Sequence, residues 1–160
     1  MRKSTLILLT AACSATVAVA QQIHNHSHDV STVAPAEDKR QVVKFPPMVR
    51  EHTLKSMRDH LLALSEIQDH LSQGHFEIAG KIAENRLGLS SFQLHGAHES
   101  SKDMPKGMQE IGGSMHRAAS QFAVLAQESE VTRDYAKAIG ALSKLTGACV
   151  ACHAAYKVEH

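Results

Sequence analysis

The apolar residues of this 160-residue chain recur at intervals of three and four over four long stretches. Residues with this spacing lie on one face of an α-helix, and no stretch alternates with a period of two for long enough to predict a strand. The stretches begin after Pro46–Pro47, at Phe76, after Pro105 and near Thr132. Because an amphipathic helix must bury its apolar face against another element, the sequence predicts an all-α fold, an antiparallel four-helix bundle.

The faces that we expect to be buried consist mainly of Leu, Ile, Met and Ala, because aromatic residues make up only 4% of the chain and Trp is absent. This composition favours helices over sheets. In chain order, the expected buried positions are Leu54, Met57, Leu61, Leu64, Ile67 and Leu71; then Phe76, Ala79, Ala83 and Leu87; then Met108, Ile111, Met115, Ala118 or Ala119, Phe122 and Leu125; and finally Tyr135, Ile139, Leu142, Leu145, Cys149, Cys152 and Tyr156.

Residues 1–20 have the pattern of a secretory signal peptide. Arg2 and Lys3 precede an apolar run that is too short to span a bilayer, and small residues follow at positions 18–20. We therefore expect cleavage before Gln21 and export to the periplasm. The alternative, a lipoprotein signal on Cys13, fits less well because "TAAC" lacks the leucine that is usual three residues before a lipidated cysteine.

Removal of this segment leaves 15 Lys and Arg against 16 Asp and Glu. A nearly neutral protein has no basic surplus for binding nucleic acid or anionic lipid. No other apolar run is expected to approach the length of a membrane span, so the sequence predicts a protein that is not inserted in a membrane.

Residues 21–44 are polar, are interrupted by Pro35 and show no helical period, which predicts a disordered arm ahead of a bundle domain at residues 45–160. His24, His26 and His28 alternate along this arm. An extended arm could wrap such side chains around Zn²⁺, Cu²⁺ or Ni²⁺, or it could be a solvated tail that binds no metal.

The chain nearly ends on a Cys-x-x-Cys-His motif at Cys149, Cys152 and His153. On a helix these positions share one face, so two thiols and an imidazole project together. This is the signature of c-type haem attachment, in which the thiols form thioethers and the histidine binds the iron. A zinc site would need further ligands, and a redox disulfide would favour a strand–helix setting. The motif predicts one haem c per chain.

Together with its place on the last of four helices, the stretch "CVACHAAYK" resembles the class II c-type cytochromes, the cytochrome c-prime group and its low-spin relatives. Tyr156 and Lys157 stand where that group has an aromatic–basic pair, and "MVREHTLKSMRDHL" is similar to its first helix. The resemblance covers roughly residues 45–160. It implies a haem held inside an antiparallel four-helix bundle of an exported bacterial protein, with His153 as the proximal ligand.

In that family the residue facing the iron from the other side lies on the first helix, four residues after a basic residue. Counting from Arg50 reaches Leu54, which cannot bind iron, whereas Met57 lies one turn further on the same face and carries a thioether that can. We favour Met57 as the distal ligand, with Leu54 over an open site as the alternative. His52 and His60 remain further options.

The identity of this residue decides the expected function. A Met57-ligated haem suits one-electron transfer with periplasmic or membrane redox partner proteins, whereas an open site behind Leu54 would bind NO or CO. The sequence shows no nucleophile with an orienting base and no paired carboxylates, so we expect no enzymatic activity. A haem-free periplasmic metal-binding protein is the competing class. Both a monomer and a homodimer fit the sequence.

Overall fold

The structure, a computed structural model, describes residues 37–92 and 101–159. The predicted signal peptide and the His24, His26 and His28 stretch lie outside these residues. Within them, the elements in chain order are β1 (Gln41–Val43), α1 (Pro47–Ser72), α2 (Phe76–Leu87), a 3₁₀ turn (Leu89–Ser91), α3 (Lys106–Thr132), α4 (Tyr135–Ala155) and β2 (Tyr156–Val158). The prediction of a mostly helical chain with four long helices is confirmed for the described residues.

The first helix begins and ends where its sequence predicts. α1 starts at Pro47, where the missing backbone N–H costs nothing because the first turn has no intrahelical acceptor for it. It is followed by Gly74, whose φ of +76° lies in the left-handed region that favours glycine. α2 then begins two residues later, at Phe76.

The junction between α3 and α4 differs from expectation. α3 continues through Thr132 and is closed by Arg133 in the left-handed conformation, with a φ of 57°. Asp134 then caps α4, because its side chain accepts a hydrogen bond of 2.9 Å from the backbone N–H of Lys137. The predicted start of the last helix near Thr132 is therefore wrong by about one turn.

Small residues lie where α2 packs against α3. α1 packs against α2, α2 against α3, and α3 against α4. A Cβ added to Gly80 of α2 would lie 3.0 Å from the carbonyl oxygen of Ala123 in α3. The same interface contains fully buried alanines, namely Ala79, Ala83, Ala119 and Ala126. Short side chains thus allow the α2 and α3 backbones to approach closely.

Several apolar positions face solvent instead of the core. Leu61, Ile139 and Tyr135 are 65%, 52% and 46% exposed. Alanines fill the neighbouring core positions, among them Ala63 and Ala138, which are fully buried. The prediction that Leu61, Ile139 and Tyr135 are buried is wrong, because the helices turn other faces toward the core. The buried residues of α1 are Thr53, His60, Ala63, Ile67 and Leu71, and those of α4 are Ala138, Ala141, Leu142 and Leu145.

Two short strands accompany the helices and were not predicted from the sequence. β1 and β2 pair in parallel, with Gln41 opposite Tyr156, Val42 opposite Lys157 and Val43 opposite Val158. Segments of three residues are too short to show a period of two, which is why the sequence did not reveal them. The arm expected to be disordered up to residue 44 is therefore structured at its C-terminal end.

α4 also differs from expectation in its apolar character. By length and composition alone, its 21 residues would suffice to cross a membrane. The prediction that no run beyond the signal peptide approaches a membrane span is therefore wrong. Only 22% of this apolar window is buried. The buried part includes Ala138, Ala141, Leu142 and Leu145, which belong to the hydrophobic core.

Because α2 and α3 approach closely at Gly80, a larger side chain there should destabilise the fold more than one at an uncrowded glycine. Gly80→Val should lower the free energy of unfolding by about 2 kcal/mol, because the new side chain must displace the backbone at Ala123. Gly140→Val on α4 is the matched control, since a Cβ there meets no atom within 4 Å. It should change stability by less than about 0.5 kcal/mol. Urea denaturation followed by circular dichroism measures both, and equal losses would contradict the close approach.

Candidate functional site

A cavity of about 430 Å³ lies between the helices and the two-stranded sheet. Its volume falls within the roughly 300–1,000 Å³ typical of small-molecule and cofactor sites. Its walls come from β1, α1, α3, the end of α4 and β2. The lining residues include Arg40, Thr53, Leu54, Met57, His60, Gly112, His116, Cys152, His153 and Lys157.

Most of the residues singled out from the sequence meet at this cavity. Leu54 and Met57 line it from α1, and Cys152 and His153 line it from the end of α4. Both α1 residues are half-buried, whereas His153 is exposed. The cavity therefore brings the imidazole of the Cys-x-x-Cys-His motif and the two candidate residues of α1 to one space.

Cys149 occupies a different position from Cys152. It is half-buried and packs against the hydrophobic core, and it is not among the residues that line the cavity. Its Sγ lies 3.8 Å from the carbonyl oxygen of Leu145, one turn earlier on α4. The two sulfur atoms therefore have different surroundings: that of Cys152 lies beside the cavity, and that of Cys149 lies at the edge of the core.

Both cysteines are free thiols. Burial raises the pKa of Cys149, and burial followed by the nearby Cys149 raises the pKa of Cys152, because two thiolates on one helix face would repel each other. Both side chains are therefore neutral thiols at neutral pH, which lets them lie against apolar neighbours without an unpaired charge.

The donor atoms and the mostly apolar lining of the cavity fit a haem. Sulfur from Met57 and Cys152 and nitrogen from His153 are the ligand types that haem attachment uses. Thr53 is 4% exposed and lines the cavity, and its Oγ1 has no hydrogen-bond partner within the described part of the chain. A Cβ added at Gly112 would meet no atom within 4 Å. The α3 wall thus leaves room for a bulky apolar ligand.

Gly112 and Gly113 are adjacent glycines within α3. Such a pair can allow a close helix–helix approach, a helix–ligand approach or a kink. Both glycines line the cavity, and no helix in the described chain contacts Gly112 where a side chain would be. The surroundings favour a ligand beside this turn of α3.

The sequence did not predict the burial of two histidines that line the cavity. His60, one of the options for the distal ligand, and His116 are each 8% exposed. Their rings lie edge to face with centroids 6.4 Å apart. The spacing of Met108, Gly112 and His116, four residues each, places them on one face of α3 and could have revealed His116.

A simple metal-ion site does not form among residues 37–92 and 101–159. No group of three or more His, Cys, Asp or Glu side chains is placed there to hold a metal ion. Within these residues, the thiols of α4 and the imidazoles of the cavity walls do not form a conventional zinc site.

The raised pKa values predict slow alkylation of the haem-free chain. With iodoacetamide, the labelling rate of Cys149 and Cys152 should keep rising beyond about pH 9, because only the thiolate reacts. In urea the rate should level off at the ordinary thiol pKa. Cys149→Ser should move the Cys152 profile to lower pH by removing the repulsion. Identical pH profiles for folded and unfolded chains, measured by peptide mass spectrometry, would contradict the burial argument.

Comparison with protein-family models, with curated proteins and with solved structures finds no match to this chain.

Proposed function

We propose that the protein is an exported c-type cytochrome of the class II kind, which transfers single electrons through one covalently held haem c inside an antiparallel four-helix bundle. The observation that carries the proposal is the meeting of Cys152 and His153 with Met57 at one largely apolar cavity. An accidental Cys-x-x-Cys-His sequence would have no reason to lie beside such a space.

The residues that would hold the group divide into two sets. Cys149 and Cys152 would form the thioethers, and His153 and Met57 would bind the iron. The haem supplies a reversible one-electron centre when it is bound. Because Cys149 lies at the edge of the core, its bond to the group would also tie the group to the packing of α4.

The apolar wall is the chain's own contribution to the redox chemistry. Apolar side chains line much of the cavity, in particular Leu54, Met57, Met104, Met108, Met115 and Phe92. They would exclude water and provide a medium of low polarity, which opposes the additional charge of an oxidised metal centre. Exclusion of water also limits side reactions during electron transfer.

Leu54 supports a second candidate function. It lines the same cavity from the same helix as Met57. A haem with Leu54 over its distal side would leave one iron position for NO or CO. His60, buried on the same wall, is the third candidate for that side.

The remaining parts of the proposal concern the setting. Residues 1–20 would direct export to the periplasm and be removed, and residues 21–44 would precede the cytochrome domain of residues 45–160. The partners would be periplasmic or membrane redox proteins, with no nucleic acid, no membrane insertion and no enzymatic activity. The cytochrome would act as a monomer or a homodimer.

Loss of both thiols tests haem attachment. Cys149→Ser combined with Cys152→Ser should give a protein whose mass equals that of the bare polypeptide and which keeps no haem after denaturation. Cys13→Ser is the matched control, because Cys13 lies in the predicted signal peptide and should leave attachment unchanged. Intact-mass spectrometry and haem staining of denaturing gels measure both. Haem that stays covalently bound in the double variant would refute the assignment.

The distal ligand is tested on the first helix. The oxidised protein should show the weak long-wavelength absorption band of methionine bound to ferric haem, and Met57→Ala should abolish it. Met48→Ala is the control on the same helix, since Met48 is 84% exposed, and it should keep the band. A high-spin spectrum in the unmodified protein, shifting readily with CO, would instead favour the open site behind Leu54.

A further inference from the structure

The sheet side of the cavity carries two cations. Arg40 and Lys157 both line the cavity, and their side chains are 42% and 33% exposed, so they lie where its wall reaches solvent. Arg40 Nε and Nη2 donate to the two carboxylate oxygens of Asp38 at 2.9 and 2.8 Å. Lys157 Nζ donates to Asp38 Oδ2 at 3.1 Å. One carboxylate thus holds two cations side by side.

This edge has a surplus of positive charge. No Asp or Glu is among the described residues that line the cavity, whose other walls are mostly apolar. The Arg40 guanidinium, and after it Lys157, hold the pKa of Asp38 well below its usual range. Asp38 therefore stays ionised and neutralises only one of the two charges that it orients.

The position of the two cations is fixed by the backbone. Lys157 pairs in the sheet with Val42, and Val42 follows Arg40 by two residues. Arg40 Nη1 also donates to the carbonyl oxygen of His153, at 3.4 Å. Both side chains are thus ordered before a ligand arrives, which lowers the entropic cost of binding one.

We infer that Arg40 and Lys157, held together by Asp38, form a carboxylate-binding pair that receives the acidic side chains of a porphyrin bound in the cavity. This inference rests on the proposed function and deepens it. A porphyrin of the haem type joins a flat apolar body to two propionates. The helical walls suit the body, whereas the propionates need a polar edge with cations, because a buried carboxylate without a partner is strongly destabilised.

The guanidinium of Arg40 and the ammonium group of Lys157 would bind carboxylates in different ways. A guanidinium presents several N–H donors in a planar fork and can bind a second carboxylate while it keeps contact with Asp38. An ammonium group is a compact charge that can turn toward either anion. The N-terminal segment thus contributes a recognition element to a cavity whose other walls belong mostly to the helices.

The test uses the purified holoprotein and compares neighbouring residues. Arg40→Gln removes the cation at the cavity, and Lys39→Gln removes the same charge one residue away, on an exposed side chain that does not line the cavity. Arg40→Gln should lower the equilibrium constant for reduction of the haem about fivefold, because a nearby cation stabilises the more negative, reduced state. Lys39→Gln should change it by less than twofold.

Resonance Raman spectroscopy gives a second measurement. The propionate bending bands should shift in Arg40→Gln and in Lys157→Gln but not in Lys39→Gln, and Arg40→Lys should give a smaller shift. Thermal melts of all variants show whether each one is folded. Equal redox shifts in Arg40→Gln and Lys39→Gln, or unchanged propionate bands, would overturn the inference while haem attachment stands. A mass equal to that of bare polypeptide would overturn the proposed function, and this inference with it.

Discussion

The pairing of β1 with β2 is the constraint on which the candidate site depends. β1 precedes α1 and β2 follows α4 directly, so three paired residues bring the two ends of the helical region together. Around the sheet, the backbone N–H of Glu159 donates to the carbonyl of Val43 at 3.0 Å, and Arg50 Nε donates to the carbonyl of Glu159 at 2.8 Å. Chain segments of this kind usually fray, and here they are held in place to form one wall of the cavity.

Side-chain size divides the interior into a closed part and an open part. Between α2 and α3 the short side chains permit close packing, and a Cβ at Gly80 would be crowded by Ala123. On the cavity side of α3, a Cβ at Gly112 would meet nothing within 4 Å. The same residue type thus serves opposite purposes in neighbouring parts of the structure. Since the α2–α3 interface is tightly packed, the cavity is a local property of the walls around Gly112 and not a sign of general looseness.

The sequence predicted those features that repeat along the chain or follow from a strict local rule. Helical periodicity identified all four described helices, and Gly74 marked the end of the first. The spacing of the Cys-x-x-Cys-His motif drew attention to Cys152 and His153, which the structure places on the cavity. Features set by distant contacts were not predictable. β1 and β2 are too short to carry a pattern, and alanine does not reveal whether its face is buried, as Ala138 and the exposed Ile139 show.

His116 shows why a buried polar residue is difficult to recognise from sequence. α2 ends at Leu87. The last carbonyl groups of a helix have no N–H donor within the helix and need a partner from elsewhere. His116 Nδ1 lies 2.7 Å from the Leu87 carbonyl oxygen and 3.3 Å from that of Gly88. Because a carbonyl oxygen only accepts, Nδ1 must carry the proton, and the negative end of the α2 dipole favours this arrangement.

The histidine thus caps α2 from α3, an interaction worth about 1 kcal/mol that an apolar residue could not supply. Its burial against the ring of Phe92, with centroids 4.2 Å apart, follows from that hydrogen bond. With Nδ1 committed to the end of α2, any role of the His116 ring toward a ligand in the cavity falls to Nε2. The tautomer at the cavity wall is therefore set by where α2 ends, which is a property of the fold and not of residues near position 116 in the sequence.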